Sequence, residues 1–260
     1  MLERLSRAWR VVATGIAFAV FGVGGVVLRF VVFPVLGVVA WDRQRRIRLA
    51  RLTVHHSFKA FIELMRVLGL LRYEVRGGER LARPGLIVVA NHPTLIDVVF
   101  LISLVRDADC VVKAELLRNP FVRGVVRATG YVCNDSGPGV IDDCVASVRG
   151  GSSLIIFPEG TRTPLSGAMT LQRGAANVAV RAGRPLTPVR VRCEPRSLAK
   201  GEPWWRVPPR PLSFQFLVED DIDVGPFVSA AGGQAPVAAR HLTSHLHEYF
   251  ASEASVHAGA

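Results

Sequence analysis

The chain has 260 residues, half of them hydrophobic, and a formal net charge of +11. This length suits one main domain with an appendage, because single hydrophobic cores stop growing near roughly 250 to 300 residues. The basic charge favours anionic partners, and the hydrophobic content favours phosphorylated metabolites or a membrane surface over nucleic acid. The four cysteines have no CxxC spacing. This argues against a disulfide framework or a zinc site and predicts buried, reduced thiols in a cytosolic setting.

Residues 1–50 are predicted to form a membrane-associated helical hairpin and the start of a basic helix. The apolar run from 11 to 41 is too long for a signal peptide and ends without a cleavage site. A single spanning helix is a second alternative. Basic residues flank both ends of the run, however, and Gly24, Gly25, Arg29 and Pro34 interrupt it. The positive-inside rule therefore favours a hairpin that dips into one leaflet, or crosses and returns, at the cytosolic face of the inner membrane.

Residues 51–260 are predicted to form the main domain, and a basic amphipathic helix over 42–69 leads into it. Short apolar runs then alternate with helical stretches. This alternation predicts an α/β fold with a mixed, largely parallel sheet flanked by helices. The sequence predicts strands at 71–75, 86–90, 110–114, 131–134, 153–157 and 186–193, and helices at 93–105, 119–130, 140–149 and 172–183.

The last part of the chain is predicted to add a loop, an edge strand and a closing helix. Residues 194–211 are rich in Pro and charge, residues 212–222 alternate like an edge strand, and residues 235–250 have helical spacing. Exposed polarity explains the three histidines of the closing helix better than a metal site, because no carboxylate or Cys stands at supporting spacing. Trp204 and Trp205 are expected either at the bilayer interface or packed on the domain.

The stretch "NHPTLID" contains the first candidate for chemistry. His92 lies just past a buried strand, with Pro93 expected at the first position of the next helix. Asp97 is near enough in sequence to hold one imidazole nitrogen and leave the other as a general base. In the alternative interpretation, Asn91 caps the helix and Asp97 only complements its dipole. This motif alone leaves the two interpretations about even.

The stretch "FPEGTRT" shifts that balance towards a catalytic pair. It follows another buried strand, and Glu159, Gly160 and Arg162 would lie beside His92 if the two strands are parallel neighbours. Arg162 is suited to phosphate or carboxylate, and Glu159 either accepts hydrogen bonds from substrate hydroxyls or holds the loop.

The two motifs, in this order and spacing, resemble those of the glycerolipid acyltransferase family, whose best-known members are 1-acyl-sn-glycerol-3-phosphate acyltransferases. The resemblance covers about residues 73–191. It implies that His92 deprotonates an acceptor hydroxyl, which attacks the thioester of acyl-CoA or acyl carrier protein, and that Asp97 orients His92. It also implies acceptor binding by the "EGTR" residues, which are Glu159, Gly160, Thr161 and Arg162.

The resemblance further assigns Lys113 to the acceptor phosphate, aligns Pro188 with a later block, and matches the N-terminal run to a two-helix membrane element. One departure concerns Ser136, which stands where the family usually has a phosphate-binding Arg. The loss of such a charge-assisted contact costs roughly 1.5 to 3 kcal/mol. Acceptors other than lysophosphatidate, such as lyso-ornithine lipid or specialised polyene or fatty-acid lipids, are therefore alternatives.

The leading hypothesis is thus a membrane-associated O-acyltransferase of phospholipid biosynthesis, with a lyso-lipid acceptor, an acyl-CoA or acyl carrier protein donor, and no metal or cofactor. A thioesterase or lipid hydrolase, in which His92 activates water, is a second hypothesis. A membrane scaffold or nucleic-acid binder is a third. It is disfavoured because the basic residues are spread over the chain and form no recognisable nucleic-acid module.

Overall fold

The core of the protein is a seven-stranded sheet. The computed structural model describes residues 2–134, 139–164, 169–197 and 206–251. The strand order is β1-β7-β6-β2-β5-β3-β4, and every neighbouring pair is parallel except β6 and β7. The strands are β1 (Leu71–Arg76), β2 (Ile87–Ala90), β3 (Ala108–Val112), β4 (Val132–Cys133), β5 (Ser153–Ile156), β6 (Leu186–Glu194) and β7 (Leu212–Val218). The mixed, largely parallel α/β sheet predicted from the sequence is confirmed.

Helices cover both faces of this sheet. Successive residues of a strand point to opposite faces, so Val88 of β2 packs in one apolar cluster and Val89 in the other. The first cluster includes side chains of α3, α4 and α5, and the second those of α6, α7 and α9. The helices are α1 (Leu2–Val27), α2 (Phe33–Val39), α3 (Arg43–Val67), α4 (Asp97–Leu104), α5 (Arg123–Thr129), α6 (Val140–Arg149), α7 (Gly174–Ala182), α8 (Gly225–Ala230) and α9 (Ala235–Ala251).

Two glycines end helices where the sequence predicted. Gly130 and Gly183 adopt the left-handed conformation just after α5 and α7, with φ of 62° and 63°. Glycine takes this conformation without the steric cost that a Cβ adds. All four cysteines are free thiols, and Cys110, Cys144 and Cys193 are buried, as predicted.

The prediction of an edge strand over 212–222 was wrong, because β7 lies inside the sheet between β1 and β6. Its alternation has another cause. Leu212, Phe214 and Phe216 enter the apolar core, whereas Ser213 and Gln215 are exposed on the opposite face. A strand that is covered on one face alternates in this way wherever it lies in a sheet.

The sequence predicted a helical hairpin within the apolar run of residues 11–41. In the structure the two arms of the hairpin are this whole run and α3. The apolar run does not turn back on itself: α1, a π-helical segment (Leu28–Val32) and α2 follow one another directly. The backbone N–H of Phe33 bonds the carbonyl of Leu28, five residues back. A π-helical turn of this kind accommodates Pro34, which has no N–H to donate.

The turn falls at residues 40–42, and α3 is the returning helix. Trp9 Nε1 donates to the carbonyl of Leu68 at 3.0 Å, and Phe21 lies against Phe58 and Phe61 of α3, with centroids 6.1 and 5.3 Å apart. The described residues contain one helix long and apolar enough to cross a membrane, Ser6–Val39. The domain boundary at residue 50 stays a prediction; α3 runs through that position without a break.

Candidate active site

The strand register brings the two motifs together at the carboxyl edge of the sheet. β2 and β5 are parallel neighbours, with Val89 opposite Ile156. The turns that follow these strands therefore leave the sheet side by side. Two bonds join the turns: His92 N donates to Glu159 Oε1 at 2.9 Å, and Thr163 N donates to the His92 carbonyl at 2.7 Å. The predicted adjacency of "NHPTLID" and "FPEGTRT" is present in the fold.

His92 and Asp97 form a hydrogen-bonded pair. The Nδ1 atom of His92 lies 2.9 Å from Asp97 Oδ2, and the His92 side chain is 17% exposed whereas that of Asp97 is fully buried. A carboxylate only accepts, so Nδ1 carries the shared proton and Nε2 presents a lone pair. No described group hydrogen-bonds Nε2. The pair therefore has the geometry of a general base and the group that orients it.

Thr94 completes the environment of the Asp97 carboxylate. Its backbone N–H donates to Oδ2 at 2.6 Å and its hydroxyl donates to Oδ1 at 2.5 Å. With the bond from His92, three donors thus surround a carboxylate that water does not reach. The role of Thr94 was not predicted, although a Thr three residues before an Asp is a common source of such local bonds.

These bonds also correct the predicted start of the helix. The expected first residue was Pro93, but residues 93–96 form a turn and α4 begins at Asp97. Two hydrogen bonds from Thr94 to the Asp97 carboxylate span this turn. Asn91 does not cap α4; its side-chain amide exchanges hydrogen bonds with the backbone N–H and carbonyl of Val191 on β6, at 2.7 and 2.8 Å.

Glu159 holds the second turn. Its Oε1 accepts the bond from His92 N and another from Thr163 Oγ1 at 2.8 Å. Its Oε2 is buried and has no hydrogen-bond partner among the described residues. Gly160 follows with φ of 63°, a left-handed conformation that suits glycine in a tight turn. Glu159 was expected either to hold the loop or to accept hydrogen bonds from substrate hydroxyls. In the structure its Oε1 holds the loop.

Phe157 is a second residue whose role the sequence did not reveal. Its ring stacks on the His92 imidazole, with centroids 4.3 Å apart and planes 26° from parallel. An aromatic face against the imidazole restricts rotation of the ring and shields it from water on one side. The available signal was position, because Phe157 is the last apolar residue before the "PEGTR" turn.

The electrostatics of the site follow from burial. Loss of solvent raises the pKa of Asp97, and the hydrogen bonds from His92 and Thr94 oppose that rise. Burial likewise raises the pKa of Glu159, against the bonds from Thr163 and the His92 backbone. A carboxylate that stays ionised in a buried place depends on its donors. Those donors are therefore part of the chemistry of the pair.

The structure places the remaining predicted residues at the same edge or outside the described residues. Lys113 directly follows β3, the neighbour of β5, and its side chain is exposed. Thr161 and Arg162 are half-buried in the turn after Glu159. Ser136 lies outside the described residues, as do Trp204 and Trp205. Two histidines of α9 have structural contacts: His247 Nε2 bonds the Met169 carbonyl, and His245 packs on Phe227.

The family model described as Acyltransferase matches residues 72–192. This segment is therefore similar to acyltransferase domains. It contains β2 to β5, most of β1 and β6, and both turns of the candidate site. The sequence-based recognition of the family is thereby confirmed.

Individual relatives agree with this assignment. The chain is 30% identical over 148 residues to a 1-acyl-sn-glycerol-3-phosphate acyltransferase of Pseudomonas aeruginosa, covering 54% of this chain and 56% of the relative. It is 26% identical over 186 residues to a chloroplastic 1-acyl-sn-glycerol-3-phosphate acyltransferase of Brassica napus, covering 67% of this chain and 52% of the relative. The matches thus span about half the length of these relatives.

A solved structure extends the likeness of the fold beyond the acyltransferase domain. The 1-acyl-sn-glycerophosphate (LPA) acyltransferase PlsC from Thermotoga maritima superposes with a TM-score of 0.66 at 20% identity. The superposition covers 95% of this chain and 97% of that one. At this identity the likeness establishes the fold, and it includes the N-terminal helices as well as the sheet.

Proposed function

We propose that this protein transfers a fatty acyl group from acyl-CoA or acyl carrier protein to the hydroxyl of a lysophospholipid such as 1-acyl-sn-glycerol 3-phosphate. The observation that carries the proposal is the His92–Asp97 pair, bonded at 2.9 Å, with the second imidazole nitrogen open at the carboxyl edge of the sheet. The acyltransferase-family domain that contains the pair supports it. The names of the relatives suggest 1-acyl-sn-glycerol 3-phosphate as the acceptor.

The proposed reaction uses His92 as base and then as acid. Nε2 takes the proton of the acceptor hydroxyl while that oxygen attacks the thioester carbonyl, and Asp97 stabilises the imidazolium that forms. The tetrahedral intermediate then collapses, the C–S bond breaks, and the proton on Nε2 passes to the leaving thiolate. The products are an ester and a free thiol. The step requires no metal or further cofactor.

The polar groups around the pair suit an anionic acceptor with several oxygens. Lys113 supplies an exposed cation beside β5, and Arg162 lies in the turn next to Glu159. The unpartnered Oε2 of Glu159 is a buried acceptor for a substrate hydroxyl. In this proposal Lys113 and Arg162 bind phosphate while Glu159 orients the glycerol. Acceptors without a phosphate monoester are the alternative, and the experiment must distinguish them from 1-acyl-sn-glycerol 3-phosphate.

We also propose that α1 and α2 attach the protein to the cytosolic face of the inner membrane. Large apolar side chains stand exposed at helical spacing along one side of this run: Trp9, Val12, Ile16, Val20, Val23, Val27, Phe30, Val31, Val35 and Val38. The opposite side is buried at Ala13 and Ala17 and packs on α3 through Phe21. One continuous apolar stripe is typical of a helix that lies in the membrane interface, near the lyso-lipid.

The test is a product assay with the purified protein. A panel of lyso-lipids, including 1-acyl-sn-glycerol 3-phosphate and lyso-ornithine lipid, is offered with acyl-CoA and with acyl carrier protein, and products are identified by mass spectrometry. His92→Ala is expected to abolish transfer and leave membrane association unchanged. His56→Ala removes an exposed histidine of α3 and is the matched control. Wild-type transfer by the His92 variant refutes the proposal, and thioester hydrolysis that no lyso-lipid stimulates favours the thioesterase alternative.

A further inference from the structure

A cavity of about 280 Å³ lies where α2, α3 and α5 meet. Phe33 and Leu36 of α2 and Ile47 of α3 supply apolar parts of its lining. The cavity is close to the lower limit of small-molecule sites, which span about 300 to 1,000 Å³. Its size therefore suits a polar headgroup better than a whole lipid.

Three arginines from two helices line the same cavity: Arg43 and Arg46 of α3 and Arg127 of α5. Among the described residues, no carboxylate forms an ion pair with any of them. The nearest acid in sequence, Asp42, accepts the backbone N–H of Arg45 at 2.6 Å and caps α3. The lining of the cavity thus combines apolar side chains with three arginines that have no ion-pair partner among the described residues.

The surroundings add more positive charge. Arg29 donates to the carbonyl of Pro120 at 3.3 Å, and desolvation together with the positive charges of Arg123 and Arg127 lowers its pKa. The Nε atom of Arg123 is buried without a hydrogen-bond partner among the described residues. Neighbouring positive charges repel one another, and a bound anion relieves that repulsion. The cluster therefore points to an anionic ligand.

The cavity is separate from the candidate active site. Gly130 lines it, ends α5 and comes just before β4, so the cavity lies towards the amino ends of the parallel strands. His92 follows the carboxyl end of β2. The strands of the sheet thus separate the two places.

The position of the cavity identifies the class of ligand. Its lining residues Leu36 and Gly37 directly precede the end of the apolar stripe, where Val38, Val39 and Trp41 are 76%, 63% and 93% exposed. A soluble anion needs no such surface, whereas a phospholipid brings its phosphate and its chains together. We propose that this cavity is a second lipid site, which binds the phosphate of an anionic membrane phospholipid while the acyl chains of that lipid lie along α2. The inference uses the proposed membrane contact of α1 and α2 and does not depend on the reaction.

The experiment measures lipid binding to the purified full chain in detergent by native mass spectrometry. The probes are phosphatidylglycerol and phosphatidylcholine with the same acyl chains, and inorganic phosphate in excess is added as a competitor. We expect tighter binding of one phosphatidylglycerol than of phosphatidylcholine. Replacing Arg43, Arg46 and Arg127 together by Gln should weaken phosphatidylglycerol about tenfold or more, because charge-assisted contacts are lost.

Three further variants make the result decisive. Replacing the exposed Arg106, Arg184 and Arg240 by Gln removes the same charge elsewhere and should leave binding near the wild-type value. Gly37→Leu keeps every arginine and adds a bulky side chain at a residue that lines the cavity, where a Cβ meets no atom within 4 Å. This variant should also weaken binding, and it replaces the triple variant if that one does not fold. Arg162→Ala should bind normally.

Several outcomes overturn the inference. The first three are equal binding of the two lipids, an equally weakened binding of phosphatidylglycerol in the charge-matched control, and unaltered binding in Gly37→Leu. The fourth is displacement of the lipid by inorganic phosphate. The fifth is weakened binding in Arg162→Ala, which would place the lipid in the active site. Acyl transfer is not the readout. Failure of the lipid site therefore leaves the proposed reaction standing, and failure of the reaction leaves the lipid site standing.

Discussion

The hydroxyl of Thr94 is predicted to set the pH range in which the His92–Asp97 pair works. Thr94→Val keeps the shape of the side chain but removes the donor that lies 2.5 Å from Asp97 Oδ1. The buried carboxylate then has two donors in place of three, and burial already raises its pKa. A hydrogen bond to a charged group contributes roughly 1.5 to 3 kcal/mol, and its full loss corresponds to a rise of about 1 to 2 pKa units.

The sign follows from the charge of the active form. A raised pKa means that Asp97 takes up a proton at higher pH than before, and a protonated Asp97 no longer stabilises the imidazolium of His92. The acid limb of the rate profile, which reports the pair as a whole, should therefore move to higher pH. The loss of activity should be largest at low pH and smaller at high pH.

The assay is kcat/KM for acyl transfer as a function of pH, with Thr94→Ser as the matched control. Serine keeps the hydroxyl, so its profile should remain close to that of the wild type. Thermal unfolding of all three proteins separates a local effect from general instability. If Thr94→Val lowers activity by the same factor at every pH, or if Thr94→Ser shifts the limb equally, the hydroxyl does not act through the Asp97 carboxylate.

Two further predictions concern the attachment of the N-terminal helices to the domain. Arg51→Met should lower the free energy of unfolding by about 3 to 5 kcal/mol. It removes a 2.8 Å ion pair and leaves Asp109 as an uncompensated buried charge. The control is Arg48→Met, which changes an exposed residue of the same helix and should have little effect on the melting temperature. Gly25→Ala should lower the melting temperature because its Cβ would lie 2.3 Å from the carbonyl oxygen of Phe121, whereas Gly15→Ala meets nothing within 4 Å and should be neutral or stabilising. Equal melting temperatures within either matched pair would contradict the packing described for these helices.

Local patterns in the sequence sufficed for most of the elements. Alternating apolar runs and helical stretches gave the α/β class, and glycines past two helices marked their ends at Gly130 and Gly183. These features depend on residues close together in the chain, where spacing alone determines burial and backbone conformation. The two motifs produced the resemblance to the acyltransferase family for the same reason, since the residues of each motif are contiguous.

Features that depend on partners far along the chain were missed or misplaced. The alternation of residues 212–218 showed that one face of β7 is buried, but it contained no information about the strands on either side. The returning helix of the N-terminal pair is α3, because a π-helical segment before Pro34 accommodates the proline. The bonds of Asn91 to Val191 join positions a hundred residues apart.

For the candidate site, the sequence by itself determined which residues have the right chemistry, and the tertiary structure decided how they are held. His92, Asp97 and Glu159 follow from their residue types and their positions after apolar strands. The stacking of Phe157 on His92 and the link from His92 N to Glu159 exist only because β2 and β5 are parallel neighbours. Strand order is set by the packing of the whole sheet. A local sequence pattern cannot specify it, because the burial that selects one order is shared among all the strands and both layers of helices.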